Sequence, residues 1–335
     1  MKRMTVGVLA GVMTLAVCDA WAQTRPQTVA LEKGWNAVWL EVQPTNASVT
    51  AFFAGMPVDI VAAYTLPVSE AQFVKNTAVN VQTLAGWNVW YAPYRADAPL
   101  TRLDMLAVNT GYLIHALDAV TLTFSGEVVA ERIRWTPNSY NLVGFPVAAR
   151  GGPTFSEFFQ GPAAHNHNKI YRLVNGGWRQ VLNPANETLR SGEAFWVYCD
   201  GASDFQGPLS VKASSTLGLV LGDATKGSIE FRNASAHPLA FSLEQVPEAG
   251  KAALPLASVI MMPSSNTIAM VDMPIDFPDG TWVQDFPAFD AGKGMTLPVM
   301  LRVGDVKPGT YSGLLKITTD LGTETWLPVR ANREI

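Results

Sequence analysis

Two stretches of this chain read as β-strands that are apolar on both faces, and that feature restricts the fold more than any other. Residues 34–42, GWNAVWLEV, place Trp35, Ala37, Trp39 and Glu41 on one face and Asn36, Val38, Leu40 and Val42 on the other. Residues 141–147, NLVGFPV, echo the pattern. Such strands are buried on both sides, so they belong inside a layered β-structure. Each copy is followed by a Phe-Phe pair (Phe52-Phe53 and Phe158-Phe159), an isoleucine-containing apolar strand, a tryptophan (Trp87 and Trp178), an aromatic strand (Tyr112 and Phe195) and a glycine (Gly126 and Gly207). These landmarks, in one order, define a duplicated β-rich module over residues 29–128 and 134–211. Asn36 and Asn141 hold matching places at the strand starts, where a side-chain amide ties down neighbouring backbone in a structural role. Residues 66–84 have no counterpart in the second copy and read as an insertion.

The N-terminus sets the expected compartment. Lys2 and Arg3 precede an apolar run at residues 4–17, and Ala20-Trp21-Ala22 offers small-x-small cleavage, so residues 1–22 read as an export signal removed after Ala22. The run is shorter than the roughly 18 residues of a membrane span, and no second such run follows. The expected locations are the periplasm, the outer surface or the extracellular space. Val17 before Cys18 does not fit a lipidation signal. Residues 23–28, QTRPQT, read as a polar leader to the first module.

After the leader, Cys199 is the only cysteine, so the domains must be stable through burial, with Cys199 as a small core residue. A formal net charge of −4, with acids and bases interspersed, argues against a nucleic-acid partner, which needs a clustered basic face.

Residues 212–216, KASST, read as a linker. Beyond it, cleaner alternation appears: Ile229 and Phe231, then Leu239, Phe241 and Leu243, then Leu297, Val299 and Leu301, then Tyr311, Leu315 and Ile317. Short strands with Gly and Pro between them indicate a β-sandwich over 216–332. The segment KPGTYSG at 307–313, followed by LLKITTD, is similar to the penultimate-strand region of bacterial immunoglobulin-like domains, and the resemblance implies that Tyr311 bonds back across a strand corner. Residues 134–211, with NLVGFPV, the Phe pairs and SGEAFWVYCDG, resemble a repeat module of secreted bacterial proteins, of which 29–126 is a divergent copy. That resemblance implies location and architecture and transfers no catalytic residue. The expected fold is therefore mainly β: two tandem small β-rich modules with short helices, then an immunoglobulin-like β-sandwich.

Motifs for chemistry are sparse. The chain has no Gly-x-Ser-x-Gly, Ser-x-x-Lys, His-Glu-x-x-His or Cys-x-x-Cys and no phosphate loop, and it has four histidines. His165 and His167, alternate residues in AAHNHN, are weak candidates for a metal, and no cofactor is expected. Glu157 and Glu193 are the tempting acid pair of a hydrolase with dispersed carboxylates, but Glu157 also completes a capping box with Thr154 and Glu193 lies in a turn. Trp35, Trp87, Trp178 and Trp196 read as core. Trp39 and Trp90 lack aromatic counterparts and, with Tyr91, are the candidates for an exposed sugar platform. The leading expectation is a secreted or cell-surface, non-enzymatic structural or interaction protein whose partners are other secreted or surface proteins. A glycan-binding protein is the alternative.

Overall fold

The computed structural model describes residues 23–64, 86–130, 133–166, 169–221, 226–247, 253–263, 268–274, 282–302 and 307–333. The expected leader at 1–22, the insertion at 66–84 and His167 lie outside them. The chain is mainly β, in several antiparallel sheets with two short α-helices.

The first module comprises β1 (Thr24–Leu31), β2 (Gly34–Leu40), β3 (Gln43–Pro44), α1 (Val49–Phe52), β4 (Val58–Tyr64), β5 (Trp87–Tyr91), β6 (Thr110–Ala116) and β7 (Val120–Glu127). A four-stranded sheet in the order β2-β6-β4-β5 and a three-stranded sheet in the order β1-β7-β3 enclose Val38, Leu40, Trp90 and Ile114. The second module comprises β8 (Ser139–Val143), α2 (Phe155–Phe159), β9 (Ile170–Val174), β10 (Gly177–Gln180) and β11 (Phe195–Cys199), in the order β8-β11-β9-β10. That order repeats the first sheet strand for strand. The registers coincide too. Asn36 opposite Ile114 is matched by Asn141 opposite Val197, Ala62 opposite Leu113 by Tyr171 opposite Trp196, and Tyr64 opposite Trp87 by Leu173 opposite Trp178.

The local devices also correspond. Ser48 caps α1, and Thr154 with Glu157 forms a reciprocal capping box on α2. The Asn36 side chain accepts from the Glu32 N–H at 2.9 Å and donates to the carbonyls of Glu32 at 2.8 Å and Gly34 at 2.9 Å. Asn141 accepts from the Thr136 N–H at 2.8 Å and donates to the carbonyls of Thr136 at 3.1 Å and Ser139 at 3.0 Å. In each copy a primary amide imitates the donor and acceptor of a missing strand and closes the loop that feeds the first strand of the sheet.

The two sheets then cover each other. Trp39, Ala62, Trp87 and Leu113 share one core with Leu142, Trp178 and Trp196, whose ring stands edge-on to Tyr64 at 5.2 Å and to Trp87 at 6.3 Å. Backbone bonds add to this, from the Trp39 N–H to the Gly192 carbonyl at 2.9 Å and from the Ala194 N–H to the Ala37 carbonyl at 3.0 Å. The contacts come in equivalent pairs: Ala37 meets Ala194, and Leu142 meets Gly111, where an added Cβ would lie 2.6 Å from Leu142 Cγ. The modules thus form an intramolecular pseudo-dimer. Near its axis equivalent positions oppose each other, and Trp39 opposes its own counterpart Gly144, whose added Cβ would lie 2.5 Å from Trp39 Cβ. This corrects the expectation that Trp39 is exposed because its counterpart is not aromatic: the glycine is the socket for the ring.

The third unit is a β-sandwich. Its sheets run β12-β14-β19-β16-β17 and β13-β21-β20-β15-β18, where β12 is Leu209–Ala213, β13 Leu219–Leu221, β14 Lys226–Asn233, β15 Leu239–Val246, β16 Leu256–Pro263, β17 Ile268–Pro274, β18 Trp282–Phe289, β19 Gly294–Leu301, β20 Gly309–Thr319 and β21 Glu324–Arg333. Phe241 stacks on Phe286 at 4.5 Å and 11° in its core, beside Phe231. The Tyr311 hydroxyl donates to the Lys307 carbonyl at 2.8 Å, across the corner that begins β20. Residues 212–213, expected in a linker, instead lie in β12, paired with Glu230 and Ile229.

QTRPQT, expected as a polar leader, instead runs into β1 from Thr24, and Gln23 just before the strand, Arg25 and Gln27 alternate onto one face, with Gln23 and Gln27 buried and Arg25 half-buried between them. The Gln23 amide bonds both the carbonyl and the N–H of Val329 in the sandwich, and the Gln27 amide bonds the Trp39 carbonyl at 2.8 Å and the Glu41 N–H at 3.0 Å.

Gly144→Ala is expected to cost about 2 kcal/mol or more through overpacking against Trp39. Its urea midpoint should fall well below that of Gly201→Ala, where an added Cβ meets nothing within 4 Å and only a positive φ of 72° is disturbed.

Candidate functional site

The three units converge on a cleft of about 870 Å3. Its walls include Val128 and Ile133 from the connection between the modules, Leu209 and Val211 from β12, and Leu217. Its polar residues include Arg25, Glu41, Glu324 and Trp326. A mostly apolar concavity with a few convergent polar groups at a domain junction is the usual form of a small-molecule site.

The polar floor begins with β1. Because residues alternate along a strand, Arg25 points the same way as Gln23 and Gln27, toward the junction. Its Nη2 donates to Glu41 Oε2 at 2.6 Å, with the two side chains only 12% and 5% exposed. The guanidinium lies over the Trp326 ring at 4.9 Å, and Lys316, which pairs with Glu324 at 2.9 Å, lies 5.4 Å from the same ring. Burial pushes the Glu41 carboxyl above the usual range and Glu324 pushes the same way, while Arg25 and the Gly192 N–H oppose them. Sequence reasoning missed this site. The available signal was Glu41, the one ionisable residue in GWNAVWLEV, together with the period-two order Gln23, Arg25, Gln27, Val29, Leu31.

The residues singled out from sequence are not gathered here. Trp39, Trp90 and Tyr91 are 1%, 2% and 3% exposed, so they form no surface platform. Trp90 packs against Phe53 at 5.9 Å and donates to Thr50 Oγ1 at 2.8 Å, and its counterpart by register, Val181, is equally buried. Trp87 and Trp178 lie in the inter-module core. His165 is buried against Trp135 at 4.1 Å with Nε2 on Ser203 Oγ at 2.8 Å, which occupies it structurally. Among the described residues no group of three metal-ligating side chains assembles. Glu157 bonds the Thr154 N–H at 2.8 Å, and Glu193 receives Arg172 through Nε at 3.1 Å and Nη2 at 2.6 Å, so both are structural ties and not an acid pair. The Cys199 thiol is buried, donates to the Gly201 carbonyl at 3.2 Å, and is pushed up to about 11 by burial and by Asp200. That makes it an inert thiol at neutral pH.

A smaller cluster also went unread. A β-bulge at Asp59 brings its carboxylate to His115 Nδ1 at 2.5 Å and Arg95 Nη1 at 2.5 Å, and Arg95 also holds Asp97 with two contacts of 2.8 Å. Trp35 lies 5.1 Å from the imidazole. The partners are far apart in sequence, so only the sheet register brings them together.

No protein-family model and no curated protein matches this chain. Among solved structures it is similar to a PapD-like (ASH) domain of human CEP192, at 8% identity and a TM-score of 0.22, over 38% of this chain and 87% of that one. It is also similar to a β-glucosidase from Listeria innocua in complex with glucose, at 13% identity and a TM-score of 0.20, over 55% of this chain and 22% of that one. Similarity this low carries no argument about fold or function.

The raised Glu41 carboxyl has a definite consequence. The folded protein holds this proton more tightly than the unfolded chain, so the group contributes stability that is fully present below about pH 4.3 and is lost as pH rises through the folded value. Chemical denaturation from about pH 4 to pH 7 should show a flatter profile for Glu41→Gln than for the wild type. Parallel profiles would mean that Glu41 titrates alike in both states.

Proposed function

We propose that this protein is an exported, non-enzymatic structural or interaction component of a bacterial cell surface or periplasm. The observation that carries this reading is that the side chains with chemical promise are engaged as ties: Glu157 in a cap, Glu193 on Arg172, His165 on Ser203, and Cys199 as a buried thiol. The units are joined at each junction by buried contacts. The modules share a core, Gln23 reaches Val329, and the Glu324 N–H bonds the Pro146 carbonyl at 3.0 Å. Such a body suits a stiff spacer that presents surface to other secreted or surface proteins. The surface proposed for contact is the loop between β5 and β6, where Tyr94, Leu100 and Met105 are 69%, 58% and 59% exposed. Export is supported by the charged start, apolar run and cleavage pattern of residues 1–22.

Expressed with its own N-terminus in a Gram-negative host, the protein should be recovered from the periplasm or medium with Gln23 as its first residue. Recovery from the cytoplasm with residues 1–22 attached would sink the export reading. Tyr94→Ser combined with Leu100→Ser should leave the melting temperature unchanged while abolishing cross-links to envelope proteins in the producing cell; unchanged cross-linking would remove the loop from the proposal.

A further inference from the structure

The cleft between the three units has a polar floor whose hydrogen-bonding capacity is not used up. Glu41 Oε1, Arg25 Nε and Trp326 Nε1 are each buried without a hydrogen-bond partner. All three residues line the same cleft. Leaving one buried polar atom unpaired costs about 1–3 kcal/mol, and more for charged groups, so three at one place require an explanation. Buried indole N–H groups of Trp39, Trp87 and Trp178 also lack acceptors, but they lie within the aromatic inter-module core, away from this carboxylate and guanidinium.

We propose that this cleft binds a neutral, polyhydroxylated ligand of the size of a mono- or disaccharide, with Glu41, Arg25 and Trp326 as its recognition residues. The chemistry selects the class. The floor offers one unpaired acceptor and two unpaired donors. A cation would answer Glu41 and leave Arg25 and Trp326 unpaired, and an anion would do the reverse. Adjacent hydroxyls donate and accept at once, so one sugar edge satisfies all three atoms. A neutral ligand also leaves the Arg25–Glu41 and Lys316–Glu324 pairs balanced. The volume of about 870 Å3 lies within the range of about 300–1,000 Å3 found for small-molecule sites, and apolar Val128, Ile133 and Leu217 supply the wall that covers the C–H face of a pyranose.

The three atoms have almost no surface of their own in the ligand-free state, and Arg25 covers the Trp326 ring. Binding therefore turns Arg25 off the ring, which becomes the stacking surface while the guanidinium and carboxylate meet the hydroxyls. This places the sugar contact at the junction of the three units and not on Trp39, Trp90 or Tyr91.

The test is saturation-transfer NMR and calorimetry on the exported chain with glucose, galactose, N-acetylglucosamine, maltose and cellobiose. Lysine and inorganic phosphate serve as the cationic and anionic probes. At least one sugar should bind, and Glu41→Gln and Trp326→Phe should each weaken it about tenfold or more through loss of a hydrogen bond to a charged or buried group. Leu182→Ser, at a remote position 83% exposed, should not change the affinity. The fluorescence change on binding should disappear in Trp326→Phe and persist in Leu182→Ser. Binding of lysine or phosphate in preference to every sugar overturns the ligand class. Sugar binding insensitive to both cleft variants, in protein whose melting shows it folded, overturns the site. Absence of binding by any probe at millimolar concentration means that the floor is satisfied by water alone, and this also overturns the proposal.

Discussion

A β-strand that is apolar on both faces must be covered twice, and in this protein the four-stranded sheets that contain β2 and β8 cover each other. The three-stranded sheet lies on one side of the first module's four-stranded sheet, α2 packs in the second module, and the remaining inner faces meet in a single aromatic core. Much follows from that contact. It accounts for the density of tryptophan in a chain whose one cysteine among the described residues, Cys199, is free, since large rings bury the most apolar surface per residue. It explains why Gly144 stands where its counterpart is Trp39. Opposed equivalent positions at a pseudo-twofold axis cannot both be large, so the duplicated sequences had to diverge there. It also gives SGEAFW a physical meaning: the Gly192 carbonyl accepts from Trp39, Glu193 anchors on Arg172, Ala194 pairs with Ala37, and Phe195 and Trp196 fill opposite faces of the sheet.

Beside the apolar contact of Val42, Val128 and Leu314, the sandwich is attached by a different kind of force. Gln23, Arg25 and Gln27 form a polar ladder on β1, and buried polar groups are tolerated only where each finds a partner. The two glutamines meet this condition by copying a strand: each amide presents one donor and one acceptor to a backbone edge. Arg25 meets it incompletely, with one strong bond to Glu41 and a ring beneath it. Buried ion pairs commonly add little net stability because desolvation offsets their attraction, but removal of one member strands the other. The Arg25–Glu41 pair is thus better suited to fixing how β1 sits against the sandwich than to strengthening the fold.

The duplicated order of elements, the capping box of Thr154 and Glu157 and the alternation of the sandwich strands could be read directly, because each depends on neighbours within a few residues. Asn36 and Asn141 were legible for the same reason, since their partners lie two to five residues away. What could not be read depended on how the copies meet. Burial of Trp39 depends on Gly144 and residues 192–194, more than a hundred residues distant, and counterparts were compared as if each copy stood alone. QTRPQT was assigned to a leader on polarity, although its alternation with Val29 and Leu31 was present. The Asp59–His115–Arg95 cluster and the Glu41 floor need sheet register and domain docking, which local pattern does not encode.

The cleft lies where the pseudo-symmetry of the two modules breaks. By the match of Gly126 with Gly207, Val128 and Leu209 are equivalent, and both line it. In the first module the residues before Val128 form β7, paired with β1 and β3, whereas the matching residues 201–208 of the second form no strand and lead into β12, which pairs with β14 of the sandwich. The two copies therefore end differently, and the gap between them is closed on one side by β1 and on the other by Glu324, Thr325 and Trp326. A site of this origin belongs to neither repeat. A cleft assembled from three units also has polar groups that no single unit was shaped to satisfy, which is why the unpaired acceptor of Glu41 and the donors of Arg25 and Trp326 occur together there.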